Sequence, residues 1–434
     1  MNNKMKSLKD ICNCLFVKEF IVTAICVFVG VIALGVVFFI PNRFMRENTK
    51  KSIAILYNEG VYPHIWEDVR ESRLDGFTDG LMLNTAYTKT ENIAENVLLG
   101  TRVYVDELNP MESLYQMLVL SNDDYMVITY GKYWHGYQII LRPLLCIFNY
   151  SDIRQINMIF QLALVFFCVH LLSKSQDKIL LIPFLGMYIF LSPISLFSSL
   201  QFSVCFYIMM FALIALFALK KYLNDITRNY LFLLTGIATA YFDLLTYPLI
   251  TLGVPLIVYL VSGGGLDCER QTTADCKSGR ENKRFLYLVY TVSWCIGYVG
   301  MWASKWIIAS VLTEENVIYS AFDAIKDRSG FSQEYTYFKT LQYNIGYCNK
   351  RIYLVILICL VIFLIALRIK NYIIIDKKLI PCTCALLFVS VYPFIWYLFT
   401  KNHSSIHYWF TYRELAISVF GILTIGVINI KKRV

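Results

Sequence analysis

The chain has 434 residues, of which 57% are hydrophobic and 16% are charged, whereas an average soluble domain has about 45–50% apolar and about 25% charged residues. This composition excludes an ordinary soluble domain and indicates an integral membrane protein. The formal charge of +9 does not indicate a nucleic-acid partner. Much of the basic charge falls in short loops on one side of the predicted spans, as the positive-inside rule describes.

The first predicted element is a transmembrane helix. The lysine-rich residues 1–19 precede the apolar run FIVTAICVFVGVIALGVVFFI at 20–40. This run is too long for the core of a signal peptide, and it lacks a small-x-small cleavage site. We therefore expect a retained first helix with a cytoplasmic N-terminus.

The next segment, residues 41–154, is polar and mixed in charge, without an apolar run of 18 residues. A helix needs about 20 apolar residues to cross a bilayer. Because this segment follows a helix whose N-terminus is inside, we expect one large extracytoplasmic loop domain with short surface helices.

The remainder, 155–434, predicts a transmembrane bundle of about nine helices with outer loops at 313–350 and 400–413. Residues 230–261 form either one tilted helix or a broken pair, and their prolines favour the pair. Together with the first helix, this predicts an all-α, polytopic transmembrane bundle of about ten spans with both termini cytoplasmic. The predicted spans of the remainder are 156–172, 179–197, 200–219, 230–245, 247–261, 285–312, 351–367, 379–399 and 414–429.

Two carboxylates stand out in the first loop, where RLDGFTDG contains Asp75 and Asp79. A carboxylate at a membrane surface is a candidate general base for a hydroxyl acceptor. The alternative is a solvated turn with Asx-type hydrogen bonds. The same loop ends in YGKYWHGYQIILRPLL, where His135 and Arg142 are candidates for binding a phosphate or for contacting lipid headgroups.

Other unusual polar residues occur at or inside apolar stretches. Asp243 in FDLLTYP is either a functional intramembrane acid or a helix cap. Lys305 in WASKW either extends to the surface as an anchor or contacts an anionic substrate.

The stretch NHSSIHYWFTYRE carries His403 and His407 at i and i+4, with Arg413 after them. Ser404 stands where the Glu of an H-E-x-x-H motif would be, and two histidines without a third ligand make a weak metal site. We expect these groups to donate hydrogen bonds to an anion, unless they belong to an aromatic belt. No cofactor is predicted, and a divalent metal is left open.

These features resemble a GT-C-type membrane glycosyltransferase. The resemblance covers the whole architecture: a first helix with its N-terminus inside, a large first loop with acidic residues, and about ten spans. DGFTDG, YWHGYQIILRP, FDLLTYP, WASKW and NHSSIHYWFTYR are similar to motifs of bacterial polytopic proteins of that kind. It implies a plasma-membrane enzyme with a polyprenyl-phosphate-linked sugar donor and an extracytoplasmic glycan or polymer acceptor.

In this family an acidic residue of the first loop activates the acceptor hydroxyl. By position, the resemblance assigns that role to Asp79 or to Asp75. Cationic and imidazole groups would then bind the lipid-phosphate leaving group, and a single displacement would invert the anomeric carbon. The candidates for this phosphate binding are Arg142, Lys305, Arg413, His403 and His407. His135 and Asp243 are further candidates for substrate binding. Two alternative functions are a polysaccharide polymerase and a transporter or flippase of lipid-linked glycans.

Overall fold

The computed structural model describes residues 2–175, 177–264, 285–330, 335–348 and 379–429. It is mostly helical, which confirms the all-α class. The helices before residue 150 are α1 (Asn2–Phe38), α2 (Asn42–Glu59), α3 (Gly76–Tyr87), α4 (Ile93–Leu99), α5 (Pro110–Leu118) and α6 (Gln138–Leu145). Two short strands, β1 (Arg102–Tyr104) and β2 (Met126–Ile128), pair antiparallel with Val103 opposite Val127.

The helices from residue 150 onward form most of the apolar bundle. Up to the gap at 265–284 they are α7 (Tyr150–Lys174), α8 (Leu181–Phe190), α9 (Pro193–Ser198), α10 (Leu200–Ala218), α11 (Asp225–Phe242) and α12 (Ile250–Tyr259). After that gap they are α13 (Leu286–Leu312), α14 (Val317–Ser329), α15 (Tyr337–Cys348), α16 (Ile380–Ser390), α17 (Tyr392–Phe399), α18 (Lys401–Ile406), α19 (Tyr408–Thr411) and α20 (Ala416–Ile428).

Within the described residues, six segments are long and apolar enough to cross a membrane, so the chain is a multi-pass membrane protein. They are Leu15–Phe38, Tyr150–Lys174, Leu200–Ala218, Leu286–Leu312, Ile380–Phe399 and Tyr408–Ile428. Each overlaps one of the ten spans predicted above. Two more predicted spans correspond to the shorter apolar helices Lys178–Phe190 and Ile250–Ser262.

The other two predicted spans, 230–245 and 351–367, have different outcomes. The span at 351–367 lies outside the described residues, so the count of ten is not confirmed. Residues 230–261 form two helices, α11 and α12, separated by a turn, which supports the broken pair over one tilted helix. Leu245 in that turn has a φ of +64°, which is unusual for a bulky side chain.

Local sequence explains where several helices begin. Asn109 and Asn149 are the N-caps of α5 and α7, and each accepts hydrogen bonds from two backbone N–H groups of the first helical turn. Glu112 and Asp152 complete capping boxes by accepting from the N-cap backbone N–H. Asn is among the best N-cap residues because its side-chain oxygen reaches these otherwise unpaired donors.

A buried polar network ties α1 to α11 and α13. Glu19 of α1 is 1% exposed, and its Oε1 accepts from Asn229 Nδ2 and Ser293 Oγ, both at 2.6 Å. The Ser293 hydroxyl lies 2.7 Å from Asn229 Oδ1. A buried carboxylate is tolerated when its oxygens are hydrogen-bonded, so this network fixes how the three helices associate.

The contact between α11 and α13 depends on two glycines. A Cβ on Gly236 would lie 2.2 Å from the carbonyl oxygen of Trp294, and one on Gly297 would lie 2.3 Å from that of Leu233. Small residues allow helix backbones to approach closely in membrane proteins. A larger residue at either position must therefore push the two helices apart.

We expect Gly236→Ala to lower the free energy of unfolding by about 1–3 kcal/mol, because the added methyl overpacks the contact. The matched control is Gly35→Ala in α1, where a Cβ meets nothing within 4 Å. Both changes favour helix formation, so they differ only in the space available. Unfolding of the purified protein in detergent measures both. Equal stability of the two variants would contradict the close contact.

Candidate functional site

A polar cavity of about 310 Å³ gathers side chains from distant parts of the chain. They come from the start of α3, the loop before α6, the first turn of α10, the end of α14, and α18 with the residue that follows it. The lining residues include Asp75, Thr78, Tyr133, Gln201, Arg328, Asn402, His403 and His407. We call this space the polar cavity.

Asp75 is the only sequence-predicted acid that lines the polar cavity. It is the N-cap of α3, and its two oxygens accept from Thr78 N and Thr78 Oγ1, both at 3.0 Å. The side chain is 2% exposed. Burial raises the pKa of Asp75 to about 7, although the Thr78 hydrogen bonds act in the opposite direction. A carboxyl with this pKa exchanges protons readily at neutral pH.

The two sequence-predicted histidines lie side by side, with ring centroids 4.8 Å apart. His403 Nε2 donates to the Leu245 carbonyl at 2.9 Å. Burial lowers the pKa of His403 well below its usual range and that of His407 to about 4, with the Arg328 charge contributing to both. Both rings are therefore neutral at pH 7, so they supply hydrogen bonds rather than positive charge.

The positive charge of the polar cavity comes from Arg328, which the sequence analysis did not identify. Its Nη2 donates to Tyr133 Oη at 2.7 Å, and its guanidinium carbon lies 5.4 Å from the Tyr133 ring centroid. A guanidinium has five N–H donors, so a single bond to Tyr133 leaves donors for a ligand.

Three buried polar atoms on the walls of the polar cavity have no hydrogen-bond partner in the described part of the chain. They are Gln201 Oε1, Asn402 Oδ1 and His407 Nδ1. More than about nine in ten buried polar groups in proteins have a partner. Unpaired atoms at this place are typical of a ligand-binding site.

Asp79 does not line the polar cavity, and protein donors surround its carboxylate. It accepts from Ser199 Oγ at 3.0 Å, from the backbone N–H groups of Leu200 and Gln201 at 2.9 Å, and from Tyr150 Oη. Asp79 therefore caps the N-terminus of α10, where a negative charge is favoured. Of the two candidate acids, only Asp75 faces open space.

Arg142 and His135 have structural partners in place of the expected phosphate. Arg142 donates to the carbonyl oxygens of Val37 at 3.0 Å, Ile40 at 3.2 Å and Ala86, which joins the end of α1 to α3. His135 lies between Tyr137 Oη and the Tyr130 carbonyl, each at 2.9 Å from one ring nitrogen.

Lys305 and Arg413 also bind backbone carbonyls. Lys305 Nζ donates to the carbonyls of Val97 and Leu98, and it lies 5.2 Å from the Trp134 ring centroid. Arg413 donates to the carbonyls of Leu191 at 3.0 Å and Trp409 at 3.2 Å and to Ser195 Oγ at 2.6 Å. A buried charge needs such hydrogen-bond partners. Neither Lys305 nor Arg413 lines the polar cavity.

Asp243 acts as a cap, which was the alternative to a functional intramembrane acid. It accepts from Thr246 N at 2.9 Å and from Thr246 Oγ1, which closes the turn between α11 and α12. The structure therefore brings together Asp75, His403 and His407 in the polar cavity. It does not bring Asp79, His135, Arg142, Asp243, Lys305 or Arg413 to the walls of that cavity.

A second, larger space lies beside the first. This apolar groove has a volume of about 730 Å³ and is formed mainly by α6, α7, α10 and α11. Leu200 and Phe242 line the apolar groove, whereas Gln201 and Leu244 line the polar cavity. The two spaces are thus neighbours, separated by the start of α10, the end of α11 and the Asp79 cap.

Comparison with known proteins does not identify the chain: no family model, curated protein or solved structure matches it. Within the described ranges, no group of three or more His, Cys, Asp or Glu side chains is placed to hold a metal ion. The chemistry of the polar cavity and the apolar groove is therefore the basis for inferring function.

The matched pair Asp79→Asn and Asp75→Asn tests the structural role of Asp79. The four groups that bind the Asp79 carboxylate are all hydrogen-bond donors. The amide of an asparagine at this position would place its N–H₂ group next to at least one of these donors. We expect Asp79→Asn to lower the free energy of unfolding by at least about 2 kcal/mol. Asp75→Asn keeps the N-cap and should change stability little. Unfolding in detergent measures both, and equal losses would contradict this assignment.

Proposed function

We propose that the protein is a membrane glycosyltransferase that moves a sugar from a polyprenyl-phosphate donor to a cell-envelope glycan or polymer. The observation that carries the proposal is that Asp75 and Arg328 line the same polar cavity beside an apolar groove. The pair supplies a proton acceptor and an anion-binding group, and the groove suits a hydrocarbon chain.

The apolar groove supports a lipid-linked donor. Its walls are almost entirely aliphatic and aromatic side chains, and they belong in part to the membrane-spanning helices α7 and α10. A prenyl chain gains about 0.8 kcal/mol for each buried CH₂. A chain in this groove would direct its phosphate toward the start of α10, where Gln201 begins the polar cavity.

Asp75 is the proposed general base. With its pKa near 7, a large fraction of the carboxylate is ionised at neutral pH, which is the best compromise for proton transfer. Asp79 has four protein donors around its carboxylate, so it is proposed to hold α10 instead. The proposal therefore takes Asp75, and not Asp79, as the base.

Arg328 is the proposed partner of the phosphate. A planar guanidinium can donate two parallel hydrogen bonds to one phosphate. The N–H of neutral His403 is already used by the Leu245 carbonyl, but the neutral His407 lines the same cavity and can donate one N–H beside Arg328. These groups stabilise the charge that develops on the leaving oxygen, a role that the sequence had suggested for Arg142, Lys305 and Arg413.

The proposed reaction is a single displacement. The acceptor oxygen forms a bond to the anomeric carbon while the bond from that carbon to the phosphate oxygen breaks. The acceptor proton passes to the Asp75 carboxylate, and the lipid phosphate leaves with the bonding electron pair. One in-line step inverts the anomeric carbon.

The direction of the protein in the membrane follows from the loop charges. Basic loops on one side predict cytoplasmic termini and a polar cavity on the extracytoplasmic side of a bacterial plasma membrane. On this proposal, residues 41–154 form the extracytoplasmic loop domain of a bundle of about ten spans.

A flippase for lipid-linked glycans is the second candidate, because an apolar groove beside a polar cavity would also suit a lipid in transit. The two functions differ in their need for Asp75. Transport requires no proton acceptor at the anomeric centre, whereas transfer does.

Glycan analysis of cell envelopes with and without the protein tests the proposed function. We expect a sugar to be missing without the protein and restored by the wild type. Asp75→Asn should lower transfer by about 100-fold or more, the usual contribution of a general base. The exposed Asp123 gives a matched control, Asp123→Asn, which should restore the sugar fully.

The pH profile is the accompanying measurement on the purified protein. Because the base must be deprotonated, kcat/KM for transfer should rise with pH through about 7 and level off above it. Unchanged glycans, or full activity of Asp75→Asn, would contradict the glycosyltransferase proposal.

A further inference from the structure

Gln201 and Asn402 line the polar cavity, and the side-chain carbonyl oxygen of each is buried without a hydrogen-bond partner in the described part of the chain. Gln201 is 3% exposed and Asn402 is 7% exposed, so water does not freely replace the missing partner. An unpaired buried acceptor costs about 1–3 kcal/mol. A ligand that donates hydrogen bonds would recover this free energy.

Several neighbouring protein donors are already engaged. Thr78 Oγ1 donates to Asp75, His403 Nε2 donates to the Leu245 carbonyl, and Arg328 Nη2 donates to Tyr133. The backbone N–H of Gln201 itself donates to Asp79. Arg328 keeps further N–H donors, which the proposed function assigns to the phosphate, so a ligand hydroxyl is the proposed donor for the two amide oxygens.

The chemistry of an amide distinguishes between ligands. A phosphate dianion has only acceptors, so it cannot pair with a carbonyl oxygen. A hydroxyl group both donates and accepts, as an amide does through its oxygen and its N–H₂. Two amides on different elements thus match a ligand with several hydroxyl groups.

The other walls and the size of the cavity also fit a sugar. Tyr62, Tyr133 and Phe410 line it, and their ring faces carry partial negative charge that attracts C–H groups. The volume of about 310 Å³ lies at the lower end of the range of ligand pockets, about 300–1,000 Å³. A single sugar ring with its phosphate fits this size better than an oligosaccharide.

We propose that Gln201 and Asn402 form the hydroxyl-binding pair of the polar cavity and select a monosaccharide as the transferred group. This inference rests on the proposed function, since it names the sugar-binding part of the same site. Asp75 and Arg328 then act at the anomeric centre and the phosphate, and the two amides hold the ring hydroxyls. The pair determines which sugar binds, and the charged residues determine what happens to it.

The test compares the binding of two kinds of probe to the full-length protein in detergent. One probe is farnesyl phosphate, and the others are farnesyl phosphates carrying one glucose, galactose, mannose, N-acetylglucosamine or arabinose. We expect the wild type to bind at least one conjugate about tenfold more tightly than farnesyl phosphate, since one good hydrogen bond is worth about that factor. Thermophoresis gives the dissociation constants.

Gln201→Leu and Asn402→Leu should each remove most of that tenfold preference and leave farnesyl phosphate binding within about threefold of the wild type. Gln116→Leu is the matched control, because this glutamine of α5 does not line the polar cavity. If a Leu variant fails to fold, Gln201→Met keeps a similar side-chain length without an amide and should still lose the preference. Absence of any preference in the wild type, or its survival in both cavity variants, overturns the inference.

A failure of the hydroxyl-binding pair can be distinguished from a failure of the proposed function. A wild type that prefers a sugar conjugate through Gln201 and Asn402 but transfers no sugar supports the hydroxyl-binding pair and contradicts the glycosyltransferase. A wild type that transfers sugar while both cavity variants keep its preference contradicts the pair alone.

Discussion

The arrangement of both candidate sites depends on one buried carboxylate. Asp79 is 1% exposed and accepts from Tyr150 of α7, from Ser199 and from two N–H groups at the start of α10. An isolated charge in this environment would be very costly, so the four donors and the carboxylate hold one another in place. Because they fix the first turn of α10, Leu200 lines the apolar groove and Gln201 lines the polar cavity.

Hydropathy and loop charge were sufficient for the class of fold, because membrane helices must be long, apolar and internally hydrogen-bonded. Each of the six segments of spanning length found among the described residues overlaps a predicted span. The number of crossings was harder to predict. The apolar stretch 179–197 is interrupted at Ser192, which has a φ of +58°, and hydropathy alone does not show such a break.

The candidate site was predictable only in part. Asp75, His403 and His407 were identified as unusual polar residues, and they share the polar cavity. Arg142, Lys305 and Arg413 were identified by the same reasoning, yet they bind backbone carbonyls. A sequence shows that a charge lies in an apolar region but not which carbonyls nearby lack partners. Arg328, Gln201 and Asn402 were missed because only tertiary packing distinguishes them from ordinary surface and helix residues.

The most direct test of a lipid-linked sugar shared between the two spaces is a cryo-electron microscopy structure in lipid nanodiscs. The ligand would be a polyprenyl phosphonate sugar whose carbon link cannot be transferred. The account predicts density for the prenyl chain along the apolar groove between α7, α10 and α11, continuous with a sugar in the polar cavity between Asp75 and Arg328. A headgroup bound elsewhere, with the polar cavity empty, would contradict the account.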